Sequence, residues 1–84
     1  STPLYSSAAS DVYKRQGLNN QLSALSLAVR QGQADGSISK NVAPENAAQL
    51  IVSLVAGLRV MAQAGRSPGD LRSMTSLGLT ALLP

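Results

Sequence analysis

The longest apolar pattern in this chain runs through ENAAQLIVSLVAGLRVMA, residues 45–62, and it has the period of an α-helix. At about 100° per residue, two flanks of one apolar face emerge. One flank contains Leu50, Leu54, Gly57 and Met61. The other contains Ala48, Ile51, Val55 and Ala62, with Ala47 and Leu58 between the two. The face covers nearly half of the circumference, whereas a helix packed on its own core needs a stripe of roughly 100°.

Capping signals set the bounds of this helix, which we predict over residues 44–64. Pro44 suits the first helical position and Gly65 suits a C-terminal stop. Ala43 stands where Asp or Ser would cap better, which costs on the order of 1 kcal/mol.

A further helix is predicted over residues 68–83, antiparallel to the one before it. Ser67 can cap it, Pro68 fits its first turn, and Asp70 stands at the third position as in a capping box. Its apolar face contains Leu71, Met74, Leu77, Gly78, Ala81 and Leu82. Leu79 and Leu83 fall outside that face and would be poorly placed on an isolated monomer.

The first helix is predicted over residues 18–34, and Asp35 and Gly36 end it. It carries one narrow apolar stripe: Leu18, Leu22, Leu25 and Val29. Ile38 and Val42 of the linker are expected to anchor it to the core. The chain is therefore predicted to be all-α, with three helices.

Residues 1–16, STPLYSSAASDVYKRQ, differ in character from the rest because they show no helical stripe. SSAASDVYKRQ resembles translated adaptor or linker sequence, so we expect a non-native, disordered tail and a native protein truncated near Gly17. An ordinary disordered tail is the alternative.

Composition narrows the classes of function. The 84 residues include no cysteine and no histidine, which removes disulfides, thiolate metal sites and the usual general base. The four acidic residues fall in separate segments: Asp11, Asp35, Glu45 and Asp70. The serine and threonine hydroxyls have no histidine to activate them. We therefore expect no enzyme activity and no catalytic, metal or cofactor site.

The net charge of +3 is spread along the chain, without a basic stripe interleaved with aromatic residues, so no nucleic-acid surface is indicated. The longest uncharged run, residues 46–58, is shorter than the roughly 20 residues that a transmembrane helix needs. No signal peptide is recognisable, and a cytoplasmic protein without membrane contact is expected.

The wide apolar face predicts a homodimer, because a self-complementary two-fold contact is the commonest way to cover such a patch. Gly57 and Gly78 are consistent with close helix–helix approach, although a single Gly is a weak signal. The candidate interface contains Leu50, Leu54, Gly57, Leu58, Met61, Met74, Leu77 and Ala81. The alternative is that the face packs against missing parts of the same protein.

The segment AVRQGQADGSISKNVAPENAAQLIVSLVAGLRVMAQAGRSPGDLRSMTSLGLTALL resembles the C-terminal end of TetR-family transcriptional regulators. The likeness lies in the Gly-containing turn GQADGSI, the APENAA helix start, the central Gly57-Leu58 and the final ALL. Ala43 departs from the family pattern, which usually has Asp there.

The resemblance implies that residues 17–84 are part of a C-terminal domain that dimerises through a four-helix bundle and senses a small-molecule effector. Operator DNA would be bound only through a helix-turn-helix in the missing N-terminal part, and no effector-contacting residue can be carried over. The alternative is an amphipathic protein-interaction module or a hairpin that binds the membrane surface, although such helices usually carry basic residues and aromatic anchors.

Overall fold

The computed structural model is all-α, as predicted, and contains no strand within residues 2–84. It describes the backbone of those residues and the side chains of residues 8–84. The helices are α1 (Thr2–Asp35), α2 (Pro44–Gln63) and α3 (Pro68–Leu79), and a 3₁₀ turn, Thr80–Leu82, follows α3. The central helix is α2, which packs against both α1 and α3. The chain is flat and elongated, with principal dimensions of 52 × 33 × 13 Å.

The start of α1 corrects the sequence-based prediction. This helix begins at Thr2, not near Leu18, so residues 2–16 are helical where a disordered tail was expected. Every side chain over residues 8–21 is exposed, so packing against the rest of the chain does not explain why this part of α1 is helical. Its residues include good helix formers such as Ala, Gln, Lys and Arg, and no proline interrupts the helix after Pro3. The adaptor-like origin of the segment stays a prediction, and Ser1 and the side chains of residues 1–7 lie outside the described part.

The ends of α2 agree with the prediction to within one residue. Ala43 is the N-cap and makes no side-chain capping bond, while Pro44 occupies the first turn. At the other end, Gly65 has φ of 88°. The Gly65 amide donates to the Ala62 carbonyl, and the Arg66 amide donates to Met61, each at 3.1 Å. These paired bonds form a Schellman motif, which explains why Gly is needed after the last turn.

The start of α3 is confirmed, but its end is not. The Ser67 hydroxyl accepts a hydrogen bond from the Asp70 amide at 3.1 Å, which is the expected cap. The α-helix stops at Leu79 and tightens into the 3₁₀ turn, whereas the prediction continued it to residue 83. The Leu82 carbonyl accepts from the Ser39 amide at 2.8 Å, so the linker binds the end of the chain.

The core is small and lies where the end of α1, the start of α2 and the 3₁₀ turn meet. Its cluster of buried hydrophobic side chains consists of Val29, Ala47 and Leu82. Ile38 and Val42 of the linker pack against it, which confirms their predicted anchoring role. Burial along α1 falls away from Val29 towards Leu18, which is 43% exposed. The chain thus buries few apolar residues for its length.

No helix in the described part of the chain combines the length and the apolar character needed to cross a membrane.

Candidate protein-interaction surface

The helices α2 and α3 form a hairpin held by a close contact between Leu54 and Gly78. A Cβ atom placed on Gly78 would lie 2.9 Å from Cδ2 and 3.0 Å from Cδ1 of Leu54. The missing side chain therefore lets α3 approach Leu54 closely. Gly57 differs, because a Cβ atom placed there would have no neighbouring atom within 4 Å. Of the two glycines predicted to allow close helix–helix approach, Gly57 and Gly78, only Gly78 does so within the chain.

One side of this hairpin exposes a strip of apolar residues, which we call the hairpin face. Met61 and Met74 line the same shallow depression, so they are neighbours on this side. The remaining residues of this face are assigned by helical spacing, because residues three or four positions apart lie on the same side of a helix. The hairpin face consists of Leu50, Gly57 and Met61 of α2, with Met74, Leu77 and Ala81 after them.

Exposure along the hairpin face is high for residues of this type. Leu77 is 79% exposed, Met61 37% and Leu50 36%. Burying a large aliphatic side chain fully contributes about 1.5–3 kcal/mol. A complementary apolar surface placed on this face would therefore gain several kcal/mol of burial free energy before the costs of association.

Of the eight residues predicted for an interface, six were grouped by helical spacing into the hairpin face, and the contacts of the other two set them apart. Leu54 packs between α2 and α3 against Gly78. Leu58 is partly buried and lines a groove on the opposite side of the hairpin. Both leucines therefore support the hairpin itself.

The second apolar flank of α2 is only partly covered by the chain. Ala48 is fully buried and Ile51 packs against the core cluster. Val55, by contrast, is 41% exposed and lines the groove with Leu58. We call this the back groove; its volume is about 510 Å³. It is lined by Val55, Leu58, Arg59, Ala62, Leu71, Arg72, Thr75 and Ser76.

Sequence reasoning missed the polar contact that shapes the linker. Gln33 Nε2 donates to the Ser39 carbonyl at 2.9 Å and to the Val42 carbonyl at 2.8 Å. The side chain thereby holds the linker against the end of α1, which positions Ile38 and Val42 for the core. A glutamine outside an apolar stripe carries no signal for such a bond, because its acceptors are backbone groups of a folded loop.

A second missed contact joins α1 to the start of α2. Arg30 makes an ion pair with Glu45, and the two side chains are 55% and 59% exposed. Exposed pairs of this kind contribute about 0–1 kcal/mol. The pair borders a polar cleft of about 360 Å³ between the helices, which includes Ser26 and Gln49.

At the end of α1, the Asp35 carboxyl accepts two hydrogen bonds from Ser37. The Ser37 hydroxyl donates to Asp35 Oδ1 at 2.6 Å, and the Ser37 amide donates to the same oxygen at 2.9 Å. These bonds, the hydroxyl first, lower the pKa of Asp35 below its ordinary value. The carboxylate acts as a local cap of the turn after α1.

Comparisons of this chain with known protein families, with curated proteins and with solved structures found no match.

Proposed function

We propose that this chain is the dimerisation part of a cytoplasmic TetR-like transcriptional regulator, joined to its copy through the hairpin face. The observation that supports the proposal most directly is the apolar strip that α2 and α3 expose together. Within residues 8–84, four hydrophobic residues form the buried core, while eleven large ones remain substantially exposed. A chain with so small a core gains stability from a second subunit.

The shape of the strip favours a second copy of this chain over an unrelated partner. It lies on two antiparallel helices, and two such hairpins stacked about a two-fold axis form a four-helix bundle. Leu77 is the most exposed of the large aliphatic residues described, so it offers the most apolar surface to a partner. Ala81 and Gly57 are small, and small residues allow the two hairpins to approach.

The regulator part of the proposal rests on the resemblance of the sequence. A two-fold scaffold holds two DNA-reading modules at a set separation, which is what paired operator half-sites require. The small-molecule effector and the operator DNA that the resemblance implies belong to this same proposal.

The test is sedimentation of the full chain and of the variant Leu77→Glu. We expect a dimer for the original chain and a folded monomer for the variant, because a buried carboxylate opposite its copy is strongly unfavourable. Leu77 makes little contact within its own subunit, so its replacement leaves the helices intact.

The matched control is Leu27→Glu, which changes another leucine that is 57% exposed on α1, away from the hairpin face. It should stay dimeric. A folded monomer for the original chain at tens of micromolar, or a dimer that persists in Leu77→Glu, would overturn the proposed interface.

The regulatory role has its own test, which is fusion of the chain to a DNA-binding module that represses a reporter only as a dimer. We expect the fusion to repress and the Leu77→Glu fusion to fail. Equal repression by both would contradict the role of the hairpin face in regulation.

A further inference from the structure

The back groove has a composition that differs from the rest of the surface. Its floor comes from aliphatic groups of both hairpin helices, chiefly Val55, Leu58 and Leu71. The exposed atoms that line it are almost all apolar. It is an open groove with a volume of about 510 Å³, so a ligand lying in it keeps one side towards solvent. With that volume, the groove is large enough for a hydrocarbon chain.

The charges at the groove are all positive. Arg59 lies on its α2 wall and Arg72 on its α3 wall, and no acidic residue lines it. Within the described residues, neither arginine forms an ion pair; the ion pair there joins Arg30 to Glu45. Two guanidinium groups flanking an apolar channel complement an anionic group, and they suit a carboxylate by bidentate hydrogen bonding.

The remaining polar groups at the groove make a highly hydroxylated ligand a poor match. The Thr75 hydroxyl already donates to the Leu71 carbonyl at 2.8 Å, so it has no hydrogen left to donate to a ligand. Apart from the two arginines, Ser76 supplies the remaining side-chain donor in the lining. A sugar-like or peptide-like ligand would leave polar groups unpaired against an aliphatic floor, which costs free energy. A ligand with one anionic head and an aliphatic tail avoids that cost.

We propose that the back groove binds a free aliphatic carboxylate. The tail lies along Val55, Leu58 and Leu71, and the carboxylate accepts hydrogen bonds from Arg59 and Arg72. The site is separate from the hairpin face, since the two lie on opposite sides of α2 and α3. Its occupancy therefore does not depend on the proposed dimer.

The test uses sodium dodecanoate as the probe, below its micelle concentration, with the full 84-residue chain. Calorimetric titration measures the affinity, and amide chemical shifts locate the ligand. We expect saturable binding with one site per chain and shifts concentrated at Val55, Ala62 and Thr75. Dodecyltrimethylammonium, which has the same tail and a positive head, should bind at least about tenfold more weakly.

The paired substitution Arg59→Gln with Arg72→Gln removes both charges from the groove. We expect dodecanoate affinity to fall at least about tenfold, with the helical circular dichroism unchanged, because both side chains are exposed. The matched control is Arg66→Gln, which removes an arginine of the hairpin turn that borders the other side. It should bind dodecanoate as the original chain does.

Several results would overturn the proposal. Equal binding of the anionic and cationic probes would contradict the role of the two arginines, and so would an equal loss of affinity in the Arg66 control and the paired variant. Chemical-shift changes at Leu77 and Met61 in place of the groove residues would contradict the location of the site. Binding only to micelles or vesicles would contradict a site for the free carboxylate. Sedimentation of the same samples tests the dimer proposal separately from the ligand proposal. A monomer that binds dodecanoate would support ligand binding in the back groove and would contradict dimerisation through the hairpin face.

Discussion

Removing the Gln33 side chain tests whether the linker is held by the two hydrogen bonds that the structure shows. In Gln33→Ala, the carbonyls of Ser39 and Val42 lose their donor, and Ile38 and Val42 lose the constraint that brings them to the core. Each bond is expected to contribute about 0.5–1.5 kcal/mol net, so the variant should lose about 1–3 kcal/mol. The whole chain is expected to have a stability of roughly 4–13 kcal/mol from its length. The predicted loss is therefore a large share of the total.

The measurement is urea unfolding followed by helical circular dichroism, at one fixed protein concentration because association changes apparent stability. For a small protein with a slope of about 1–3 kcal/mol per molar urea, the midpoint should fall by roughly 1 M. Gln31→Ala is the matched control, since Gln31 is exposed on the same helix and gains the same helix propensity. Gln33→Glu is a second variant, which keeps the size of the side chain but loses the donor, and it should be destabilised at least as much as Gln33→Ala.

The reasoning would be refuted if Gln33→Ala and Gln31→Ala unfolded at the same urea concentration. It would also be refuted if Gln33→Glu were as stable as the original chain at neutral pH, because a carboxylate cannot donate to either carbonyl.

Two further outcomes follow from the glycines and from Asp35. In the Leu77→Glu background, which is expected to be monomeric, Gly57→Ala should stabilise the subunit by roughly 0.5–1 kcal/mol through helix propensity, whereas Gly78→Ala should lose that gain because its Cβ meets Leu54; equal midpoints in urea would contradict the contact. Since the pKa of Asp35 is lowered on folding, its contribution is present above the unfolded pKa and is lost as the pH falls through the folded pKa. Ser37→Ala should raise the Asp35 pKa towards its ordinary value in an NMR titration, and an unchanged pKa would contradict the assigned cause.

The helix boundaries that local capping residues set were predicted correctly, whereas the boundaries without such a local signal were not. Local capping chemistry located both ends of α2 and the start of α3, because Pro44, Gly65 and Ser67 act on the neighbouring backbone alone. The start of α1 was not predictable from an apolar stripe, because residues 8–21 are helical without burying any side chain. The end of α3 was not predicted, and the 3₁₀ turn that follows it is bonded to the linker through Ser39 and Leu82, whose positions lie far apart in the sequence.

The candidate surfaces show the same division. The periodicity of α2 identified an apolar face too wide for a small core, and Leu50, Met61 and Leu77 of the predicted interface are exposed, while their role in a dimer stays a prediction. Periodicity could not assign Leu54 to a contact within the hairpin or Leu58 to the opposite groove, because both lie on the same wide face as Leu50 and Met61. The grouping of Arg59 with Arg72 across the back groove was equally invisible, since it depends on the register between two helices.

The sequence alone therefore determined that the chain is helical, where its later helices start, and that α2 carries more apolar surface than one small subunit buries. These properties follow from hydrogen bonding and side-chain spacing within a few residues. The tertiary structure decided which apolar residues close the hairpin, which remain open on the hairpin face, and how Gln33 and Leu82 hold the linker. Those outcomes depend on the distances between segments that meet only when the chain folds.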